Sequence, residues 1–86
     1  MGQAARDIIL TPALCRAARG LLDWTQNDLA ERSEVSRSTI RDYEGNHHNV
    51  HRATAAQIIR AFEDGGVLFR DFEGHGCGVC HKQNAG

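Results

Sequence analysis

With 86 residues, 41% hydrophobic and 24% charged, the chain has room for one small globular domain. No apolar run approaches the ~20 residues of a membrane helix. The opening MGQAARDIILTPAL lacks the long apolar stretch of a signal peptide, so a cytoplasmic protein with reduced cysteines and no membrane partner is expected. The net charge of −1 opposes nucleic-acid binding, which normally shows a basic footprint. Any such reading must find its positive charge locally.

Residues 1–10 read as an N-terminal leader, loosest over 1–7. The first helix begins at Thr11-Pro12. Threonine can cap, and proline in the first helical position gives up an N–H that has no partner there. Ala13, Leu14, Ala17, Ala18, Leu21 and Leu22 recur at helical spacing, with Arg16 and Arg19 off that stripe. Thr25 opens a second helix, and Thr25-x-x-Asp28 has the form of a capping box with aspartate in place of glutamate. This helix ends near Ser33. Ser36 caps a third, SRSTIRDYEGN, with Ile40 and Tyr43 on one face and Gly45-Asn46 as its stop. NHHNVH is a polar loop. A fourth helix over 52–64 turns Ala55, Ile58, Ile59 and Phe62 inward and ends at Gly65-Gly66. VLFRDF and VCH then read as two short strands around the turn GHGCG, and the last residues as a frayed end. Cys15 and Trp24 read as core.

Residues 26–46 carry the function. Two short helices, each with its own cap, stand about three residues apart. That is the sequence form of a helix-turn-helix, whose second helix enters the DNA major groove. Ala30 is read as small because the helices cross there, Val35 with Leu29 and Ile40 as the core between them, and Tyr43 as the tie to the rest. The stretch LLDWTQNDLAERSEVSRSTIRDYEGN resembles the lambda-repressor/Cro-like (XRE-like) helix-turn-helix family over about residues 12–65. The family pattern falls on Gln26, Ala30, Val35, Ile40 and Glu44-Gly45-Asn46. RAARGLLDWTQ and HRAT…AFEDGGV look like a single-domain bacterial subfamily. One residue departs: Glu34 stands where the family often has a turn glycine. If that backbone is left-handed, glutamate there is strained by ~1 kcal/mol.

The resemblance implies a mainly α, compact four-helix lambda-repressor-like DNA-binding domain over 11–66, with the helix-turn-helix at 26–46 and the recognition helix at 36–45. A short β-hairpin and tail occupy 67–86. It implies a transcriptional regulator of the repressor type and double-stranded DNA as partner, with no cofactor and no enzymatic activity. By family position, Arg37, Ser38 and Asp42 are the first base-contact candidates, with Thr39 and Arg41 beside them. Arginine can pair with guanine O6 and N7, a threonine methyl can meet the thymine methyl, and aspartate can accept from cytosine N4. Gln26, Ser36, Asn46 and Arg52 suit phosphate contacts, helped by backbone N–H groups at helix starts. The plain alternative is that Arg37 and Arg41 form a solvated face with Asp42 as a partner for a neighbouring arginine. Arg16 and Arg19 are expected to add charge, and the acids Glu63, Asp64, Asp71 and Glu73 to lie away from DNA. With so few cations a homodimer on a palindromic operator is expected. The exposed apolar side chains of VLFRDF (Val67, Leu68, Phe69 and Phe72) are assigned to its interface.

One motif competes. Cys77-Gly-Val-Cys80-His81 has the C-x-x-C-H spacing of haem attachment, and C-x-x-C also serves zinc and dithiol redox sites. Haem would need export and a chain that can bury the ring. Zinc through His75, Cys77, Cys80 and His81 would crowd four ligands into seven residues, where structural sites bring two pairs together. The favoured reading is a strand with glycine turns, and no metal. HHNVH reads first as an exposed loop near DNA. A second functional reading keeps the tail active, as an antitoxin-like module gripping a protein such as a toxin, or as a metal- or redox-responsive regulator. No nucleophile, base and orienting residue occur together, so an enzyme is not expected.

Overall fold

The computed structural model describes residues 8–83. The loosest part of the expected leader, residues 1–7, and the closing residues 84–86 lie outside the described residues. Four helices, α1 (Pro12–Leu22), α2 (Gln26–Ser33), α3 (Arg37–Glu44) and α4 (Arg52–Gly65), precede an antiparallel hairpin of β1 (Val67–Phe72) and β2 (Gly76–His81). The caps stand where the sequence puts them. Thr11 Oγ1 accepts from the Leu14 N–H (3.1 Å) ahead of Pro12. Thr25 and Asp28 bond reciprocally, at 3.0 and 2.9 Å, as a capping box. α4 ends on Gly66 at φ 110°, a backbone that glycine adopts without strain.

Cys15, Ala18, Leu29, Ile40, Ile58, Phe62 and Val67 are the centre of one core, which all four helices and the hairpin share. Trp24, half-buried, stacks on Phe62 with ring centroids 5.8 Å apart. The last turn of α4 approaches it so closely that a Cβ on Gly65 would lie 2.7 Å from the indole. Ala30 is half-buried, so its neighbourhood is less crowded than a fully enclosed helix crossing.

The N- and C-terminal segments differ from expectation. Leu10, read as leader, is buried, and its carbonyl accepts from the Tyr43 hydroxyl at 2.9 Å. The strand pair is longer than VCH implies, running from Val67 opposite His81 to Phe72 opposite Gly76. The chain itself buries two of the four apolar side chains of β1: Val67 and Phe69 enter the core, Phe69 with its ring 6.2 Å from Phe62. Strand alternation leaves only Leu68 (46% exposed) and Phe72 (50%) outside, on the face opposite to Val67 and Phe69. The expectation that all four await a partner is therefore corrected. α1 and α4 form a wide enough floor for one face of a six-residue strand.

Candidate nucleic-acid interface

The turn between α2 and α3 is built from small bonds. Glu34 caps α2 in the left-handed region at φ 62°, its N–H donating to Ala30 O (2.9 Å). Ser33 Oγ donates to Leu29 O (2.7 Å) and accepts from the Val35 N–H (3.3 Å). Gln57 of α4 donates to Ser33 O (3.1 Å), tying the turn to the fourth helix. Val35 is buried with Leu29 and Ile40. Ser36 then starts α3: its Oγ accepts from the Thr39 N–H (3.2 Å) and donates to Thr39 Oγ1 (2.8 Å).

α3 is two-sided. Ile40, Tyr43 and Glu44 are buried. Arg37, Ser38, Thr39 and Arg41 are exposed and Asp42 is half-exposed. These five base-contact candidates thus share the outward side of one two-turn helix. Arg41 Nε stands 3.4 Å from Asp42 Oδ1, a long contact between exposed groups that leaves both able to bond elsewhere. Of the phosphate candidates, Ser36 is at the start of α3, Asn46 follows its end at φ 64°, and Arg52 opens α4, all exposed. Gln26 is half-buried and donates one amide hydrogen to Glu44 Oε1 (3.1 Å), leaving the other to point elsewhere.

The inner side of α3 holds the arrangement that the sequence reading missed. Glu44, 4% exposed, receives Arg19 bidentately along one edge of the guanidinium, Nε to Oε2 at 2.8 Å and Nη2 to Oε1 at 2.7 Å. The Cys15 thiol donates to Oε2 (3.1 Å), and Arg16 Nη1 donates to the Glu44 backbone carbonyl (2.6 Å). Burial pushes the Glu44 carboxyl up, but the hydrogen bonds from Arg19, Gln26 and Cys15 outweigh it and hold the carboxyl below its usual range. Burial, with Glu44 beside it, pushes the Cys15 thiol far up, so this sulfur is a donor and not a thiolate. Burial also pushes the Tyr43 hydroxyl up to about 12. The expectation that Arg16 and Arg19 add charge for DNA is therefore corrected for Arg19, whose charge is paired with the Glu44 carboxylate; Arg16 is exposed and bonds only a neutral carbonyl, so it keeps its charge at the end of the recognition helix. A signal was present. Glu44 follows Ile40 by four residues, which puts a carboxylate on the apolar face, and a buried carboxylate demands a cation.

The cysteine motif is spread apart. Gly76–His81 is extended, so Cys77 and Cys80, three residues apart, lie on opposite faces of the strand. Cys77 is half-buried and pairs across to Asp71. Cys80 is exposed and pairs across to Leu68. His75 sits in the turn and His81 at the far end of β2, its ring beside Gly66. Among the described residues no three His, Cys, Asp or Glu side chains gather closely enough to hold a metal ion.

Two short, separately capped helices joined by a tight turn, the second buried along one side and polar along the other, are a helix-turn-helix DNA-binding unit. The sequence matches a helix-turn-helix family over residues 16–63, and the chain belongs to this lambda-repressor/Cro-like (XRE-like) family. That family consists of DNA-binding regulators and is not typically enzymatic. Comparison with curated proteins gives no match. Among the described residues no helix is long and apolar enough to cross a membrane.

Proposed function

We propose that the protein is a cytoplasmic, sequence-specific repressor that binds a palindromic operator as a homodimer, with α3 in the major groove. The observation that carries this reading is the two-sidedness of α3. Its inner end is fixed by Glu44 to α1 and α2, while Arg37, Ser38, Thr39, Arg41 and Asp42 lie on the other side, exposed or half-exposed. Arg37, in the first turn, is the principal base reader, with Ser38 and Asp42 beside it. Gln26, Ser36, Asn46 and Arg52 contact phosphates on either side of the helix. DNA binding is assigned to 11–66 and self-association to 67–86. Leu68 and Phe72 support that assignment, since they leave an apolar outer face on a hairpin that pairs with no other strand among the described residues. A two-fold dimer would set two copies of α3 ~34 Å apart, one DNA turn.

The test is a fluorescence titration against the promoter of the protein's own operon and against random DNA, each over a salt series. Arg37→Ala should lose ~1–3 kcal/mol on the cognate site and relax the preference at one base pair. Arg52→Ala should weaken both duplexes equally and lower the salt slope by ~1. Equal loss on both duplexes for Arg37→Ala defeats its assignment as base reader. Self-association is tested with Leu68→Ser/Phe72→Ser in the analytical ultracentrifuge. A wild-type monomer would instead assign the outer hairpin face to a different protein, such as a toxin.

A further inference from the structure

The recognition surface carries little permanent charge. Arg19 and Arg16 are bonded to Glu44, and the Arg32 guanidinium lies 4.8 Å over the Trp24 ring. Arg41 has Asp42 beside it. Among the described residues Arg37, Arg52 and Arg16, whose bond to Glu44 is to the neutral backbone carbonyl, are left as cations without an acidic partner on or next to α3. Three phosphate-neutralising groups per chain are few for a DNA-binding domain, since release of condensed counterions supplies most of the sequence-independent affinity.

Between α3 and α4 lie three further side chains that can carry positive charge. His47, His48 and His51 are all exposed, and Arg52 follows directly. The loop leaves α3 at its C-terminal end. Eight residues of helix span ~12 Å, about the width of the major groove. A helix reading bases with its first turn therefore delivers this loop to the bordering phosphates. The loop is fastened there, with the N–H groups of His47 and His48 donating to Asp42 O at 2.8 and 3.4 Å. The His47 ring lies against Gly45, where a Cβ would stand 2.8 Å from Cδ2. A cation at that helix end is favoured by the dipole.

We infer that His47, His48 and His51 are DNA-phosphate contacts that bind in their protonated form, so that the complex takes up protons as it forms. The inference rests on the DNA-binding reading. Imidazole is the side chain that changes charge between pH 5 and 8, and a phosphate opposite it favours the charged form. The groups facing the loop from its neighbours do not replace it as the source of pH dependence. From α3 these are Arg41, Asp42 and the paired Glu44, and from α1 Arg16. From α4 they are Arg52, with Arg60 and Glu63 further along the helix. None is a histidine. The remaining histidines, His75 and His81, are on the hairpin.

The experiment uses the full chain, a labelled duplex from its own promoter and a random duplex of equal length, at fixed 0.1 M salt from pH 5.5 to 8.0. Affinity for both should rise several-fold as pH falls across that range, by up to about tenfold for each unit by which DNA raises an imidazole pKa. His47→Gln/His48→Gln/His51→Gln should flatten the profile. His75→Gln/His81→Gln should leave it as steep as in the wild type. Thermal melts across the same range establish that every variant is folded. Calorimetric titration in two buffers of different ionisation enthalpy should count the protons directly. Binding that does not change with pH, or a triple variant as steep as the wild type, overturns the inference and leaves the DNA-binding reading standing. Absence of binding to either duplex at every pH overturns both.

Discussion

Arg19→Met tests whether the recognition helix is held by a buried ion pair. Methionine keeps the apolar stem against the helix and removes only the guanidinium. The Glu44 carboxylate, 4% exposed, is then left with Gln26 and Cys15 as side-chain donors. Removing one partner of a buried pair costs ~3–5 kcal/mol, because the remaining charge stays desolvated. Arg19 retains 20% exposure, so the lower end, ~3 kcal/mol, is expected. A domain of this size is stable by only ~4–13 kcal/mol, so the urea midpoint should fall by about 2–3 M. Unfolding followed by circular dichroism at pH 7 reads this directly. A loss below ~1 kcal/mol, the worth of an exposed pair, would refute the reasoning, because it would mean that water reaches the carboxylate. Adding Glu44→Leu to Arg19→Met should recover much of the loss, since an apolar replacement of a buried pair is often neutral.

The same pair predicts a pH dependence. The folded-state pKa of Glu44 is depressed, so the unfolded chain takes up this proton first as pH falls. The stabilisation is full above the unfolded carboxylate value, ~4.3, and is lost as pH drops through the folded one. Melting temperature should fall below about pH 4.5 in the wild type, and less steeply in Glu44→Gln. Asp28 is also depressed, through its bonds from the Thr25 backbone N–H and side chain, and contributes to both curves, so the difference between them isolates Glu44. Parallel curves would refute the assignment.

Three further outcomes follow. Glu34→Gly should raise stability by up to ~1 kcal/mol in the urea assay, because glycine adopts the left-handed backbone at φ 62° without strain; a loss would mean that the glutamate stem contributes there. Thr25→Ala removes the α2 cap and should cost about 1 kcal/mol by the same assay, with no change in which DNA is preferred. Cys77→Ser/Cys80→Ser should leave the fluorescence titration unchanged, with and without chelator; loss of binding would restore the metal or redox reading.

Much of the fold was legible because its signals are local. Thr11, Thr25 and Ser36 cap the helices that follow them, and a left-handed residue at position 34 follows from comparing Glu34 with the usual glycine. The helix-turn-helix was legible for the same reason, since both helices and their turn occupy some twenty consecutive residues. What sequence order hid was long-range pairing. Arg19 and Glu44 are 25 residues apart, and helical spacing within α1 puts Arg19 off the apolar stripe without showing that α3 offers it a carboxylate. Val67 and Phe69 looked unsatisfied for a similar reason: the apolar surface that covers them comes from Phe62 and its neighbours, and a strand read alone has no floor.

The cysteine motif shows how far spacing can be trusted. A C-x-x-C pair converges only when its backbone turns, as in a knuckle or at a helix start. In an extended strand, residues three apart face opposite ways, so the same four letters separate the two sulfurs. Strand formation is itself decided by tertiary packing, because Phe69, Cys77 and Val79 pack against or within the core only if both segments are extended. The outer face shows the same logic. Gly76 and Gly78 oppose Phe72 and Arg70, and the Phe72 ring lies over Gly78, 3.0 Å from where a Cβ would stand. The glycines that make the motif resemble a ligand loop therefore make room for an aromatic ring on the sheet. A Gly78→Ala variant should displace that ring and expose it further, which is the direction in which a hairpin interface would respond. The cysteines on either side of Gly78 need not change for it to do so.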